Sequence, residues 1–455
     1  MAVSKTFAIV IPGVTDLNRG DQALAWEAAR LIQDLSIAEE VFFLDAGEDA
    51  KERELQTGQT RRQGYETLRR ILPHPRYKHY NPRDKVQEGK ISLILMIVHS
   101  VKDFLWGQTF LLFARFPKIA RLLLGKTERQ RTYEAFRNAQ VIVVKGGGFL
   151  HTYGGIRAPY YTWYQLFYLR LAHQLNKPVI ILPNSFGPFR GMGVKVQIKS
   201  VLSNCAFISA RESISAEVLQ DIIERQVPVF PDMGYYLEPN GAEIGQEILR
   251  RFGVPLGYQK YVGFTVRPYR FPGSSNPLLA YSKYLDAIVD LINYVASKRF
   301  YPVLVTQVAG PSAHENDRLA VQDLLLKLGD VPCSWIDFQG DCRDLKSIYR
   351  CFDYVVGTRF HSVIFAQGVR VPCLSIAYGG NKALGIMQDM GLGDYVIPIE
   401  HVTGKLLRQK FDLLVENEEC IKTKLHSWEV YTLEARLDML ESIRTCLLAT
   451  GVVSR

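Results

Sequence analysis

Arg359 and His361 lie where an apolar strand is expected to meet an apolar helix, in the stretch VVGTRFHSVIFA at 355–366. The start of a helix presents unpaired backbone N–H groups and attracts anions. The Arg359 guanidinium adds paired donors that suit a phosphate or a carboxylate, and the His361 imidazole can give or take a proton near neutral pH. The alternative is a buried pair satisfied by core carbonyls and carboxylates, and spacing alone leaves the two interpretations even.

Two further cations follow predicted strands. Arg211 comes directly after the apolar run AFIS, and Lys382 follows the strand after the Arg-x-His element, in AYGGNKALG. An ion pair with Glu212 or Asp232 is the structural alternative for Arg211. Ligands bind beyond the carboxyl ends of parallel strands. Several cations and one histidine at such ends, with few carboxylates, predict a pocket for a small, doubly anionic ligand.

The loop GVTDLNRGDQA at 13–23 closes the first predicted strand. Gly20 permits close approach of the backbone, and Asp21 is well placed to cap the following helix. Asn18 and Asp21 could also bind and deprotonate a sugar hydroxyl, although capping is the favoured role for Asp21. Glycines and aromatic side chains meet again in KGGGFLHTYGG at 145–155, a combination found both in sugar clefts and in protein cores.

Several chemistries have no support in the sequence. The motifs of P-loop phosphoryl transfer, zinc hydrolysis, serine hydrolysis and dinucleotide binding are missing, as is a DxD pair. The seven cysteines are scattered without a CxxC pair, which argues against a disulfide framework and a metal site and favours a reducing compartment. The net charge of +9 is a mild excess over 455 residues, compatible with an anionic ligand or a membrane surface.

The elements that must hold these residues alternate between strand and helix, which favours an α/β fold with parallel sheets. The order restarts after a break at 237–258, so we expect two Rossmann-like lobes that face a central cleft. The predicted parts are an N-terminal domain (1–240), a C-terminal domain (241–410) and a helical segment (411–455). The strands are predicted at 6–13, 40–45, 139–150, 177–189, 205–215, 227–236, 260–271, 301–310, 334–340, 352–361 and 371–382.

The segment 91–126 is the most apolar part of the chain, but charged residues interrupt it before the ~20 apolar residues of a spanning helix are reached. Trp106 and the phenylalanines near it, with Lys118, Arg121 and Lys126, suit contact with an anionic membrane. A pair of core or dimer-forming helices is equally compatible with this composition.

Taken together, the motifs resemble the polysaccharide pyruvyl transferase family over most of the chain. The resemblance is carried by NRGDQAL, KGGGFL, NSFGPF, SARESIS, FPDMGY and, most specifically, GTRFHSVIFAQGVRVPCLSIAYGGNKALG. It implies a two-lobed, GT-B-like fold and transfer of the pyruvyl group of phosphoenolpyruvate to a sugar as a ketal, with release of phosphate. Asn184 departs from the family pattern, in which many members have glutamine.

The resemblance implies roles for particular residues. His361 is the expected proton donor, and Asp21 is the candidate base. The donor-binding residues would be Arg211, Arg359, Phe360 and Lys382. The acceptor side of the cleft would include Asn18, Gly20, Gly147, Gly148, Asn184 and Ser185. No metal or cofactor is expected beyond phosphoenolpyruvate as co-substrate.

The expected partners are phosphoenolpyruvate and a sugar or lipid-linked oligosaccharide, without nucleic acid. The expected location is the cytoplasm, with peripheral contact at the inner face of the membrane. Two other functions stay open at this stage: a GT-B glycosyltransferase that uses a nucleotide sugar, and a non-catalytic protein that binds glycans or anions. The fold alone does not separate them.

Overall fold

The structure is a computed structural model that describes residues 6–45, 47, 49–72, 85–86, 90–255, 257–380 and 382–451, without the side chains of 90–97. Its first lobe is built on a seven-stranded sheet in which all strand pairs are parallel. The strands are β1 (Phe7–Val14), β2 (Glu40–Asp45), β3 (Glu66–Leu68), β4 (Val141–Val144), β5 (Gly147–Tyr153), β6 (Val179–Arg190) and β7 (Phe207–Ala210).

The order in this sheet is β3-β2-β1-β4-β6-β5, and β7 also pairs with β6. The first half of β6 lies between β4 and β7, while its second half pairs with β5 from Gly147 opposite Asn184 to Tyr153 opposite Arg190. This long strand explains how the glycine-rich stretch after β4 reaches the strand ends where Arg211 begins.

The second lobe has a six-stranded parallel sheet in the order β10-β9-β8-β11-β12-β13. Its central strands are fully buried apolar runs, as expected when helices cover both faces of a parallel sheet. The strands are β8 (Lys260–Thr265), β9 (Phe300–Val305), β10 (Ser334–Ile336), β11 (Tyr354–Gly357), β12 (Cys373–Ala377) and β13 (Val396–Pro398). Two parallel sheets with helices confirm the predicted fold class.

Helices flank and connect these sheets. In the first lobe they are α1 (Arg19–Asp34), α2 (Ala50–Arg62), α3 (Lys90–Phe113), α4 (Pro117–Leu124), α5 (Glu128–Asn138), α6 (Ala158–Gln165), α7 (Phe167–Gln174), α8 (Val194–Leu202), α9 (Ser213–Ile223) and α10 (Met233–Tyr236). The others are α11 (Ala242–Arg251), α12 (Pro277–Ser297), α13 (Asp317–Leu328), α14 (Cys342–Arg350), α15 (Phe360–Gln367), α16 (Lys382–Asp389), α17 (Gly404–Glu416) and α18 (Glu418–Thr450).

Most predicted elements are present, with two corrections. The expected strand at 227–236 is wrong: this stretch makes an isolated bridge at Val229 and then forms the short helix α10. Its N-cap Asp232 accepts a hydrogen bond from the N–H of Gly234, which starts a helical turn where apolar composition alone suggested a strand. The predicted strand at 139–150 is divided between β4 and β5.

The apolar segment 91–126 forms α3 and α4 on the first lobe. Phe110 is fully buried against Tyr133 and Phe167, and Trp106 stacks on Phe110. The prediction of an exposed surface is therefore wrong for Phe110, because this side of α3 faces the core, whereas Trp106 is half-buried and Phe104 is exposed. Among the helices of the described part of the chain, none has both the length and the apolar composition needed to cross a bilayer.

The two lobes touch at several points around the ends of their strands. Asn18 forms a backbone bridge with Val308, and the side-chain carbonyl of Gln22 accepts a hydrogen bond of 2.8 Å from the N–H of Cys342. Tyr153, at the end of β5, places its hydroxyl against Gly379 of the second lobe. These contacts bring the loop before α1 and the end of β5 to the carboxyl ends of the second sheet.

Candidate active site

His361 occupies the first turn of α15, directly after β11, as the sequence predicts. Its Nε2 atom is buried and has no hydrogen-bond partner among the described residues, and the nearest carboxylate, Asp232 Oδ1, is 4.0 Å away. Burial lowers the pKa of His361 to about 4, and the positive charges of Arg211 and Lys382 act in the same direction against Asp232. The imidazole is therefore neutral near pH 7 and offers an unpaired nitrogen.

Gly20 leaves the space that the His361 imidazole occupies. A Cβ atom at this position would lie 2.3 Å from Cγ and 2.4 Å from Nδ1 of the imidazole, far inside van der Waals contact. The first turn of α1 in one lobe therefore packs directly on the catalytic candidate of the other. This close contact is the structural reason for glycine at position 20, where the sequence had predicted close approach of the backbone.

Arg211 follows β7 and is held by side chains of its own lobe. Its Nε donates to Ser185 Oγ at 2.7 Å, and its Nη1 donates to the buried Asp232 Oδ2 at 2.5 Å. Ser185 in turn donates to Glu212 at 2.9 Å, and burial raises the pKa of that carboxyl to about 7. The ion pair that was the structural alternative for Arg211 is thus present.

The third guanidinium nitrogen of Arg211, Nη2, lies beside Gly148. Within the described chain, Nη2 has no hydrogen-bond partner, and a Cβ atom at Gly148 would lie 2.9 Å from it. Gly148 therefore leaves room beside a guanidinium nitrogen that is still able to donate. An ion pair that uses one edge of the guanidinium leaves the other available to a ligand.

Arg359 is the N-cap residue of α15 and belongs to the second lobe. Its Nε donates to the fully buried Asp317 at 2.7 Å, and its Nη2 donates to the backbone carbonyl of Glu315 at 2.7 Å. Burial alone would lower the pKa of Arg359, but Asp317 and the hydroxyl of Tyr378 keep it above its usual value. This guanidinium is a fixed positive charge.

Arg267 and Tyr378 also belong to the site, although the sequence analysis did not assign them to it. Arg267 stacks over the ring of Tyr378 at 4.0 Å, and the Lys382 ammonium lies 4.8 Å from the same ring. Burial would raise the pKa of Tyr378, but Arg267, Lys382 and Arg359 together lower it to about 7. Arg267 follows β8 by two residues, as Arg359 follows β11, so strand-end position was the available signal.

The site is rich in cations. Four cationic side chains lie in one electrostatic neighbourhood: Arg211, Arg267, Arg359 and Lys382. Asp232 and Asp317 oppose them through ion pairs with Arg211 and Arg359, and Glu212 and Glu315 lie near the same arginines. Burial lowers the pKa of Lys382, and the nearby arginines add to that effect. An anionic ligand would relieve this repulsion.

Asp21 is not the N-cap of α1, so this prediction is wrong. The helix begins at Arg19, and the Asn18 side chain caps it by accepting hydrogen bonds from the N–H groups of Gly20 and Asp21. Asp21 instead pairs with the buried ammonium of Lys145 at 2.5 Å and accepts from the N–H of Thr15. Both its oxygens are engaged, so a role as base would require it to leave Lys145.

The other predicted cleft residues serve mainly to support this arrangement. The Phe360 side chain is part of the hydrophobic core, which leaves only its backbone at the site. The Asn184 amide donates to the carbonyls of Lys145 and Leu182, and its buried Oδ1 has no partner among the described residues. Gly147, opposite Asn184 in the sheet, has a φ of +142°, a conformation that favours glycine.

Comparison with solved structures shows the fold. The chain aligns with a putative UDP-N-acetylglucosamine 2-epimerase from Listeria monocytogenes (10% identity, 97% of each chain, TM-score 0.54). It aligns equally with MnaA of S. aureus in a complex with UDP (10% identity, 99% of this chain and 98% of that one, TM-score 0.54). A trehalose-phosphate synthase from Burkholderia vietnamiensis matches over the full length of both chains (11% identity, TM-score 0.53). The chain therefore has the two-lobed GT-B-like fold.

Sequence comparison gives the family. A family model described as polysaccharide pyruvyl transferase matches residues 18–380, and the chain belongs to that family. It is also 22% identical over 307 residues to the amylovoran biosynthesis protein AmsJ of Erwinia amylovora, an alignment that covers 66% of this chain and 69% of that protein. The residues gathered around His361 all lie within or directly beside the matched range.

Proposed function

We propose that this protein transfers the pyruvyl group of phosphoenolpyruvate to a sugar of a polysaccharide or lipid-linked oligosaccharide and releases phosphate. The observation that carries the proposal is the buried Nε2 of His361, which has no hydrogen-bond partner among the described residues and lies beside the cationic side chains of Arg211 and Lys382. Phosphoenolpyruvate carries its phosphate and its carboxylate on the same carbon of a carbon–carbon double bond. Protonation of the other carbon, the methylene, makes the carbon that bears the phosphate and the carboxylate electrophilic. This combination of charge and reactivity matches the site.

The arginines and Lys382 would hold the two anionic groups. Arg211 approaches from the first lobe with Nη2, while Arg359 and Lys382 approach from the second. Because the two arginines are already fixed by buried carboxylates and a serine, little reorganisation accompanies binding. Water-excluded, preorganised charges also stabilise the phosphate as it leaves.

His361 would supply the proton that starts the reaction. A bound trianion raises the pKa of the imidazole from its value of about 4 and favours the imidazolium. Protonation of the methylene carbon gives a methyl group and makes the adjacent carbon electrophilic, so that a sugar hydroxyl adds there. Phosphate then departs with its electron pair, and a second hydroxyl closes the ketal. Of the two hydroxyl protons, one balances the proton on the methyl group and the other leaves with phosphate.

Asp21 and His361 are the two candidates for the base that deprotonates the sugar hydroxyls. Asp21 is near His361 electrostatically but is paired with Lys145. His361 itself is neutral after it has given up its proton and is then a base next to the reacting carbon. We therefore assign the acid step to His361 and keep Asp21 as the proposed base only if it exchanges Lys145 for a sugar hydroxyl.

Thermal shift with phosphoenolpyruvate and with UDP-sugars tests the proposal. A ligand at 100 times its Kd stabilises the native state by about 2.7 kcal/mol, so a raised Tm with phosphoenolpyruvate alone is expected. Release of phosphate that depends on an oligosaccharide acceptor distinguishes an enzyme from a binding protein. Stabilisation by a UDP-sugar without any effect of phosphoenolpyruvate would instead indicate a nucleotide-sugar glycosyltransferase.

Gly20→Ala is expected to lower phosphate release by about 10²-fold, because the new methyl group displaces the His361 imidazole. The substitution should not weaken helix α1 itself, since alanine inside a helix is favoured over glycine by roughly 1 kcal/mol. The matched control is Gly273→Ala, where an added Cβ meets no atom within 4 Å. Steady-state phosphate release measures both variants, and full activity in Gly20→Ala would contradict the placement of His361.

Donor binding is expected to take up protons and to strengthen as the pH falls. A bound anion raises the pKa of His361 from about 4 and of Tyr378 from about 7, so the complex holds more protons than the free protein. Affinity therefore decreases as the pH rises through the pKa of Tyr378. Calorimetric titration of phosphoenolpyruvate in buffers with different ionisation enthalpies measures the proton count.

Substitutions distinguish the proton uptake of Tyr378 from that of His361. Tyr378→Phe should lose the uptake near pH 7, and His361→Gln the uptake at lower pH. Tyr258→Phe, a substitution on the surface of the same lobe, should behave as wild type. The phosphate of the ligand titrates identically in all of them and cancels in the comparison. Unchanged proton uptake in Tyr378→Phe would show that this hydroxyl does not titrate with binding.

A further inference from the structure

One face of the first lobe combines exposed apolar side chains with unpaired cations. It is formed by α3 after residue 97, α4, the start of α6 and α8, and we call it the basic apolar face. Ile156 is 97% exposed and Leu122 is 81% exposed, values that are unusual for large aliphatic side chains in such number. The other exposed apolar residues of these elements and their flanks are Leu105, Leu112, Phe116, Ile119, Met192 and Val196.

A groove runs through this face between α3 and α6. Its volume is about 640 Å³, and its walls are mainly apolar and aromatic. Arg157 and Arg170 lie at its edge, so that an apolar channel is bordered by guanidinium groups. The lining side chains that matter here are Val101, Phe104, Leu105, Ile156, Tyr160 and Trp163. An apolar channel with a cationic edge suits an acyl or prenyl chain with an anionic headgroup.

The charge of this region is mainly positive, and Asp103, beside Lys102 on α3, is an acidic exception. Between Glu134 and Glu212 the sequence contains no acidic residue, although α6, α7 and α8 all lie in that interval. Some cations of the face are neutralised, as Arg121 is by Glu134 and Lys199 by Glu224. The cations on these elements and their flanks that form no ion pair within the described residues are Lys102, Arg115, Lys118, Lys126, Arg157, Arg190 and Lys195.

The sign of the charge decides between two possible occupants. A second copy of this chain, related by a twofold axis, would place the same cations opposite each other, which opposes association. An anionic bilayer surface is complementary in charge and also accepts exposed aliphatic side chains at the boundary between headgroups and hydrocarbon. Each unpaired Lys or Arg near such a surface strengthens binding roughly fivefold.

We propose that the basic apolar face docks on an anionic lipid bilayer, with the groove between α3 and α6 receiving a lipid chain. Leu122, Ile156 and their exposed neighbours insert at the hydrocarbon boundary, while the unpaired cations contact the lipid phosphates. The core-facing side of α3, with Trp106 and Phe110, holds the helix on the lobe. This docking does not depend on the pyruvyl chemistry proposed above.

Vesicle flotation of the full chain tests the proposal. We expect the wild type to float with vesicles of phosphatidylcholine and phosphatidylglycerol, not with phosphatidylcholine alone, and to be released by high salt. The double variant Leu122→Asp, Ile156→Asp should reduce flotation at least tenfold. The control Leu326→Asp changes an equally exposed leucine, 87% exposed on α13 of the other lobe, and should float as wild type.

A second pair of variants tests the charge. Lys118→Glu with Lys126→Glu should weaken flotation, whereas Lys405→Glu, an exposed lysine on α17, should not. Failure of the wild type to float with anionic vesicles, or equal flotation on neutral ones, overturns the proposal. So does light scattering that shows a dimer converted to a monomer by Leu122→Asp, Ile156→Asp, without flotation of the wild type. That outcome would make the face an interface between two copies.

Discussion

His361→Ala is expected to lower phosphate release by roughly 10²–10⁴-fold while donor affinity changes little, because the imidazole serves proton transfer more than charge pairing. The side chain is neutral near pH 7 in the free protein and its Nε2 has no partner in the described chain, so little binding energy is lost with it. His361→Gln keeps a polar group of similar length without a titratable proton and should be equally inactive. Phosphate release under saturating phosphoenolpyruvate and acceptor measures the loss.

The control for this pair is His426→Ala, which removes an exposed histidine from α18. It should retain wild-type turnover, and calorimetry should find donor affinity within a few-fold of wild type in all three variants. Wild-type phosphate release by His361→Ala at every pH would exclude His361 as the proton donor. A collapse of donor affinity in His361→Gln would make it a binding residue instead.

The most useful signal in the sequence was a charged or titratable residue placed directly after a predicted strand. Parallel strands point their carboxyl ends to one edge of the sheet, so the sequence alone was enough to group Arg211, Arg359 and His361. Applied with equal consistency, the same rule would have found Arg267, two residues after β8. Tyr378 lies one residue after β12, so the same rule would have found it as well.

The partners of these residues could not be predicted in the same way. Asp317 pairs with Arg359 across 42 residues of sequence, and Lys145 pairs with Asp21 because β1 and β4 are neighbours. Strand order is a property of the whole sheet and leaves no local trace. The N-cap of α1 was nearly predictable from the sequence, because asparagine and aspartate are both good N-cap residues and only the choice between Asn18 and Asp21 was wrong.

The orientation of α3 shows a different limit. A helix that is apolar on all sides gives no periodic signal for the face that meets the core. Trp106 and Phe110 were expected at the surface, yet neighbouring aromatic side chains of α5 and α7 bury Phe110 completely. Exposed aliphatic residues of the same helix, such as Leu105, take the surface position instead.

The second large effect is expected for Arg211→Lys and Arg359→Lys, which keep the charge and lose the planar pair of donors. Each should weaken phosphoenolpyruvate binding by about 1.5–3 kcal/mol, the range for hydrogen bonds to charged groups. Lysine is the informative substitution at 211, because alanine would leave the buried Asp232 unpaired at a cost of about 3–5 kcal/mol in stability. Arg408→Lys, at a surface ion pair with Asp290, is the matched control and should bind as wild type.

The double variant tests whether one ligand is held from both lobes. Arg211 belongs to the first sheet and Arg359 to the second, and the lobes already meet through Tyr153 and Gly379. If phosphoenolpyruvate bridges them, losing one arginine releases the ligand from the other, and the double loss is smaller than the sum of the single losses. Calorimetric titration of the wild type, both single variants and the double variant measures this coupling. Strictly additive losses would place the two arginines on independent contacts, and unchanged affinity in Arg211→Lys would remove the first lobe from the donor site.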